Sequence, residues 1–369
     1  MKIGIDARPL ISKHPSGIGT YVVHVLRYIS AMDSENEYIL YSNKEMEYPI
    51  ELGPNFHKKV IPGKVGTLWL RYSLPRYIAK DKLDVFWGTQ HFLPCPVKGV
   101  RMCLTVHDTA LLIQPKWGSQ VNAFMQNTFL PPSAREADLI LAVSNSTKRD
   151  TVRLCGVSEE KVAVIYEGYP ESLQQPTQEE TAAIREKFAI GGPYYLYVGN
   201  IEPRKNIETM VAAFNILAET DPDAWLVLAG GLGWRYNGIL QAVESSPYKD
   251  RIVMPGYLSV QEKYLLYKEA RAFLFPSHYE GFGLPILEAY RIGTPVITAK
   301  NSSLPEVGGE AAYYVSDEND PTALAAVMEE MAKATPEELE RRAALAKVHC
   351  DSFSWEKCAA QTMAVLLKK

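Results

Sequence analysis

Short apolar runs alternate with helix-forming stretches over nearly the whole chain, and this alternation restricts the fold more than any single motif. Parallel strands need crossovers of a dozen or more residues, and a helix is the usual way to pack a crossover back on its sheet. The pattern predicts an α/β chain with two doubly wound, Rossmann-like domains facing each other across a cleft. In the first half the predicted strands are Lys2–Ile5, Glu37–Tyr41, Val85–Gly88, Arg101–Val106, Leu139–Val143 and Val162–Ile165. In the second they are Tyr194–Val198, Trp225–Ala229, Ile252–Met254, Ala272–Phe275 and Pro295–Thr298. Helices fit between them. Ile207–Ala218 keeps its apolar residues 207, 210, 211, 214, 217 and 218 on one face.

A length of 369 residues suits two domains of ordinary size. The polar stretch Glu171–Glu180, with Pro170, Pro176 and three glutamines, reads as the hinge between them, before a Gly191–Pro193 turn opens the second. The predicted divisions are 1–170, 171–350 and a C-terminal helix within 351–369. A hydrophobic fraction of 47% and a charged fraction of 22% exclude a disordered chain. The net charge of -4 argues against a dedicated nucleic-acid binder. No apolar run approaches the roughly 18 residues of a spanning helix, and Met1–Asp6 reads as a strand, which points to the cytoplasm. Cysteines 95, 103, 155, 350 and 358 lack CxxC spacing, so they are read as free thiols. The first 168 residues carry 20 Lys and Arg against 16 Asp and Glu, the remainder 19 against 27, so the first half is the one suited to an acidic partner or surface.

Three strand-to-helix connections carry most of the chemistry. In Phe275-Pro-Ser-His-Tyr-Glu-Gly-Phe-Gly-Leu-Pro-Ile-Leu-Glu288, Gly281 and Gly283 let backbone N–H groups approach a ligand, and a helix starts at Pro285. That is a seat for a phosphate, with Glu280 before the helix and Glu288 about one turn inside it. A tight connection with a Glu favoured by the helix dipole gives the same pattern. In Gly199-Asn-Ile-Glu-Pro-Arg-Lys-Asn206, Asn206 is placed to cap a helix, and Arg204 and Lys205 to neutralise a diphosphate. A solvated loop is the plain alternative. In Ser16-Gly-Ile-Gly-Thr-Tyr21, Gly17 and Gly19 precede a predicted helix Tyr21–Ser30, but Val22 stands at the third glycine position and the dinucleotide fingerprint fails. His107 and Asp108 end a strand, where catalytic and structural roles weigh evenly. Asp221-Pro-Asp223 reads as a polar turn, and Ser303-Leu-Pro-Glu306 as a capping box.

Taken in order, GIDAR at 4–8, SGIG at 16–19, HD at 107–108, VSNS at 143–146, YVGNIEPRKN at 197–206, SHYEGFGLPILEA at 277–289, SSLPEVGG at 302–309 and Ser354-Trp355-Glu356 resemble the retaining glycosyltransferases of family 4, which have the GT-B fold. Within that family the chain is similar to bacterial mannosyltransferases of O-antigen and capsular polysaccharide assembly. The resemblance implies an acceptor-side first domain and a donor-side second one. It assigns Arg204 and Lys205 to the donor diphosphate and Glu288 to the ribose. Glu280 falls on the sugar side, with the backbone of Gly281, Phe282, Gly283 and Leu284 near sugar hydroxyls and phosphate. The base falls at Tyr257 and Leu258 in the Pro255–Leu258 turn, His107 at the sugar site, and the Gly17–Gly19 loop over phosphates or acceptor. Glu280, His107, Arg204 and Lys205 are thus the catalytic candidates. No metal or cofactor is implied, only a nucleotide-sugar co-substrate, since fixed positive groups replace a divalent ion. Two departures stand out: Tyr166-Glu-Gly-Tyr169 lies where many relatives carry Asn-Gly, and Thr20 where a basic residue is frequent.

The implied acceptor is a glycan or lipid-linked glycan. Residues 58–80 set Trp and Tyr among Lys58, Lys59, Lys64, Arg71, Arg76 and Lys80, a composition suited to peripheral membrane contact. A buried helix whose Arg stems cover the core fits equally. Rival functions are a GT-B nucleotide-sugar epimerase, a nicotinamide-dependent oxidoreductase disfavoured by the broken fingerprint, and a non-catalytic assembly subunit.

Overall fold

The structure, a computed structural model, describes residues 1–13, 16–169 and 177–368. It divides into two compact units, Met1–Gly168 with Phe353–Lys369, and Tyr169–Ser352. Residues 170–176 of the predicted hinge lie outside the described residues. Its last residues are a helix start: the Thr177 hydroxyl accepts from the Glu180 N–H at 3.2 Å, and the Glu180 carboxylate accepts from the Thr177 N–H at 2.8 Å. This reciprocal cap begins the helix Gln178–Lys187 where a loop was predicted.

The first unit holds β1 (Lys2–Asp6), β2 (Glu37–Ser42), β3 (Phe56–Val60), β4 (Val85–Gly88), β5 (Arg101–Val106), β6 (Leu139–Ala142) and β7 (Val162–Val164). The second holds β8 (Tyr194–Val198), β9 (Trp225–Ala229), β10 (Ile252–Gly256), β11 (Ala272–Phe275), β12 (Val296–Ala299) and β13 (Tyr313–Val315). Every pairing is parallel, in the orders β3-β2-β1-β4-β5-β6-β7 and β10-β9-β8-β11-β12-β13. The order in which strands are added reverses once in each sheet, between β1 and β4 and between β8 and β11. Loops leaving the C-terminal ends of strands beside such a reversal splay apart and open a crevice.

The unpredicted strands, β3 and β13, are both edges. In β3 the residues His57 and Lys58 are exposed, so the segment lacks the apolar run of a buried strand, and the charge discourages pairing with another chain. Strand β13 has three residues, too few to show a period.

The first helix, Gly17–Met32, starts four residues earlier than predicted because Ser16 caps it and accepts from the Gly19 N–H at 3.5 Å. Gly17 and Gly19 therefore form its first turn instead of a loop ahead of it. Its buried face presents Tyr21, Val22, Val25, Leu26 and Ile29. The helix Trp355–Leu367 packs on it, with the Trp355 indole stacked on His24 at 4.8 Å between centroids and edge-on to Tyr21 at 6.2 Å. Gly168 lies flat against this junction, where a Cβ would stand 2.2 Å from the Trp355 nitrogen. The helix is anchored by Trp355, Cys358, Ala359, Thr362 and Leu366, while Met363 and Val365 are only half-buried.

Candidate active site

The second unit gathers its charged residues at the reversal between β8 and β11. After β8 the chain turns through Pro203–Lys205, passes Asn206 in the left-handed region at φ 61°, and enters the helix Ile207–Thr220. After β11 the loop Pro276–Gly283 leads to the helix Leu284–Ile292, with Gly283 at φ 118°. The two connections are strapped together. The Asn206 amide donates to the carbonyls of Pro276 at 3.1 Å and Glu318 at 2.6 Å, and the His278 N–H donates to the Arg204 carbonyl at 3.0 Å. Asn206 occupies the cap position but its side chain makes no cap bond, because these straps use it. Ser303 likewise forms no capping box: its hydroxyl lies 2.9 Å and 2.6 Å from the carbonyls of Glu280 and Phe282 and shares its proton between them.

Within this frame Arg204, Lys205 and Glu280 meet. The Lys205 ammonium donates to Glu280 Oε1 at 2.6 Å, and Arg204 Nη1 to Glu280 Oε2 at 3.0 Å. Arg204 Nη1 also reaches the Tyr279 carbonyl at 2.8 Å, and Nη2 reaches Glu202 Oε1 at 3.0 Å. Lys205 and Glu280 are 9% and 7% exposed, so the pair is desolvated and its charges interact strongly. Burial alone would raise the Glu280 carboxyl, but Arg204 and Lys205 outweigh it and hold it below the ordinary carboxylate range. Burial, then Arg204, pulls the Lys205 ammonium below the ordinary lysine range, and Glu280 offsets part of this. Both Glu280 oxygens thus rest on cations, and Glu280 sets where Arg204 and Lys205 point.

Gly281, Phe282 and Gly283 are buried beside this cluster, and no side chain caps the helix that follows at Leu284. One turn in, Glu288 accepts from the Lys263 ammonium at 2.6 Å. The floor is built of glycine: a Cβ on Gly230, at φ 141°, would stand 1.8 Å from the Gly199 oxygen, so no other residue fits. Tyr257 is 74% exposed after β10, while Leu258 is 9% exposed. Trp234 and Leu232, exposed after β9, are large apolar groups at the same sheet edge that no motif marked. Asp221-Pro-Asp223 lies at the opposite edge, before β9, with Asp221 paired to Arg271.

In the first unit His107 follows β5. It is buried, with Nε2–H donating to the Thr89 carbonyl at 2.9 Å and Nδ1 standing 3.4 Å from Glu167 Oε1. The Tyr21 ring meets it edge-on at 4.8 Å. Gly17 is exposed at the first turn of its helix, and an added Cβ there would meet nothing within 4 Å.

Residues 15–173 match the family described as Glycosyltransferase Family 4, and residues 180–347 the family described as Glycosyl transferases group 1. The chain is 32% identical over 282 residues to O-antigen chain mannosyltransferase B of Escherichia coli, which covers 76% of this chain and 73% of that relative. The chain belongs to the family 4 glycosyltransferases. Solved structures agree on the fold. WaaG, a glycosyltransferase involved in lipopolysaccharide biosynthesis, aligns over 100% of both chains with a TM-score of 0.76 at 14% identity. Anabaena HepE in complex with UDP and glucose aligns over 100% of this chain and 99% of its own, with a TM-score of 0.72 at 16% identity. The fold is GT-B.

The transferase therefore holds two sets of polar groups, one at the C-terminal edge of each sheet. The second-unit set places Arg204 and Lys205 against Glu202 and Glu280, with Lys205 and Glu280 desolvated. The first-unit set is built on His107 and includes two residues that sequence reasoning passed over. Glu167 was visible only as a departure in Tyr166-Glu-Gly-Tyr169. His91, in the loop after β4, carried no motif, although placing the end of a predicted strand at Gly88 sets it three residues beyond the sheet edge.

Proposed function

We propose that this transferase moves a hexose, mannose from GDP-mannose, to a glycan or lipid-linked glycan acceptor in surface polysaccharide synthesis, keeping the anomeric configuration. The Arg204–Lys205–Glu280 cluster, with Lys205 and Glu280 buried, beside the uncapped helix at Leu284 carries this reading. A nucleoside diphosphate leaves with negative charge growing on its terminal phosphate, and two cations already gathered by Glu280 and Glu202 stand at one strand edge to receive it. These groups take the place of a divalent metal. The acceptor hydroxyl attacks the anomeric carbon on the face the phosphate leaves, and a leaving phosphate oxygen takes its proton. The C–O bond to phosphate breaks as the new glycosidic C–O bond forms. In this reading Glu280 acts through the cations, Glu288 and the backbone of Gly281 to Leu284 hold the nucleotide and phosphate, and Tyr257 and Leu258 stand near the base. The name of the Escherichia coli relative supports mannose. A panel of nucleotide sugars assayed for nucleoside diphosphate release tests the proposal. Turnover is expected with GDP-mannose and an acceptor glycan, and turnover only with another donor would remove the mannosyl assignment.

The acceptor side is proposed to touch a membrane through residues 58–80. Trp69, Leu70, Leu74 and Ile78 of this stretch are core, and Arg71 is paired with Glu136. The surface it leaves combines exposed Val65, Leu68 and Tyr72 with exposed Lys58, Lys64, Arg76 and Lys80. No helix among the described residues is long and apolar enough to cross a membrane. Anionic vesicles are expected to carry the wild type upward in flotation, and a variant with Lys58, Lys64, Arg76 and Lys80 changed to Ser to stay below, at about 1 kcal/mol lost per basic residue. Equal, negligible flotation of both would remove the idea and with it a peripheral location on the inner face of the cytoplasmic membrane.

A further inference from the structure

His107, the first-unit candidate for sugar contact, has its Nε2 on the Thr89 carbonyl and its Nδ1 facing Glu167. The neighbouring ring is differently placed. His91 lies 5.7 Å from His107 between ring centroids, at an interplanar angle of 78°. Its Nδ1 is buried with no hydrogen-bond partner among the described residues. A buried polar atom left unpaired is costly, so such an atom at a sheet edge asks for a ligand.

The backbone places it there deliberately. The loop after β4 doubles back so tightly that a Cβ on Gly88 would stand 2.5 Å from the Phe92 oxygen, and the Phe92 N–H donates to the Gln90 carbonyl at 2.7 Å. His91 sits at the apex in the left-handed region, φ 59°, fixed by its own N–H donating to the Thr105 carbonyl at 3.0 Å. Non-glycine residues seldom hold that region, and here backbone hydrogen bonds fix the turn that imposes it. Strand β4 borders the reversal of strand order in the first sheet, so this loop lines the crevice of its own unit. Burial, with Asp108 pulling the other way and His107 adding to it, pulls the His91 imidazole down to about 4. At neutral pH the ring is uncharged, with one N–H donor and one lone pair.

We propose that His91 is a sugar-contacting residue of the transferase, its neutral ring bonded to a hydroxyl of a bound hexose. A hydroxyl both donates and accepts, which matches a neutral imidazole, whereas a phosphate would favour the cations of the other unit. The hexose is one held at the C-terminal edge of the first sheet, and the inference rests on the reading of the chain as a hexosyltransferase. His107, backed by Glu167 and Thr89, meets the His91 ring edge-on at 5.7 Å between centroids.

Histidine-ring NMR on the full chain labelled at Cε1 tests this, with the His91 resonance identified by its loss in His91→Asn. Asparagine also adopts the left-handed region, so that variant keeps the loop. The probes are GDP, UDP, GDP-mannose, UDP-glucose and octyl α-D-mannopyranoside. The His91 resonance is expected to move with a hexose-bearing probe and to stay in place with GDP and UDP alone. Movement with the nucleotide sugar assigns the donor hexose, and movement with the mannoside assigns the acceptor. His91→Asn is expected to keep its GDP affinity within about twofold and to lose about tenfold in kcat/KM, the size of one neutral hydrogen bond. A resonance unmoved by every probe, in an enzyme that turns over GDP-mannose, overturns the inference and leaves the transferase reading standing. Failure to turn over any donor removes that reading, and the inference with it.

Discussion

Lys205→Ala is expected to lower kcat/KM by about 10²- to 10³-fold, the range for losing one preorganised donor to a developing anion. Arg204→Ala belongs to the same class of effect. The ammonium is buried and donates to Glu280 at 2.6 Å, so its charge acts at short range with little screening. Removing it leaves Glu280 on Arg204 alone, so the guanidinium is held more firmly by the protein and is less available to a phosphate. The loss must therefore appear in binding as well as in rate. GDP affinity measured by calorimetry is expected to fall about tenfold or more in each variant, since a charged hydrogen bond is worth about 1.5–3 kcal/mol. If Lys205 served only as a counter-ion, Lys205→Ala would destabilise the second unit and leave GDP affinity at the wild-type value. That combination would contradict the account.

Trp355→Ala is expected to destabilise the first unit by about 4 kcal/mol, as large buried aromatic truncations do. The indole is 1% exposed, stacked on His24 and edge-on to Tyr21, and Gly168 closes on it without room for a side chain. It joins the last helix of the chain to the first, so its loss acts on a contact between segments far apart in sequence. Chemical unfolding followed by hydrogen exchange of peptides from each unit separates the two transitions. Peptides of Met1–Gly168 and of the last helix are expected to lose protection, and those of Tyr169–Ser352 to keep it. A loss below about 1 kcal/mol would mean that the site collapses around the cavity.

The central strands were readable because both faces of a parallel strand are buried, which leaves runs such as Tyr194–Val198 with no alternation to misread. The edge strands β3 and β13 were not, since an edge needs neither length nor continuous apolar character. Capping shifted two boundaries: Ser16 pulled Gly17 and Gly19 into a helix, and Thr177 with Glu180 turned the end of a presumed hinge into another. In the site, Arg204, Lys205 and Glu280 could be named from residue type and position beside a strand end. Their mutual pairing could not, because it depends on two loops separated by some seventy residues and brought together by sheet order. Asn206 and Ser303 show the same limit. Each has the side chain of a helix cap, and each spends it on carbonyls of another loop. His91 was hidden for a different reason: its place depends on a positive φ, and a histidine in a loop gives no sign of one.

A crystal structure of the chain soaked with GDP-mannose bears most directly on how the transferase holds its donor. The diphosphate oxygens are expected within about 3.5 Å of the Lys205 ammonium, the Arg204 guanidinium and the backbone N–H groups at 283–284. A diphosphate bound elsewhere, with Arg204 and Lys205 still closed on Glu280, would contradict the account.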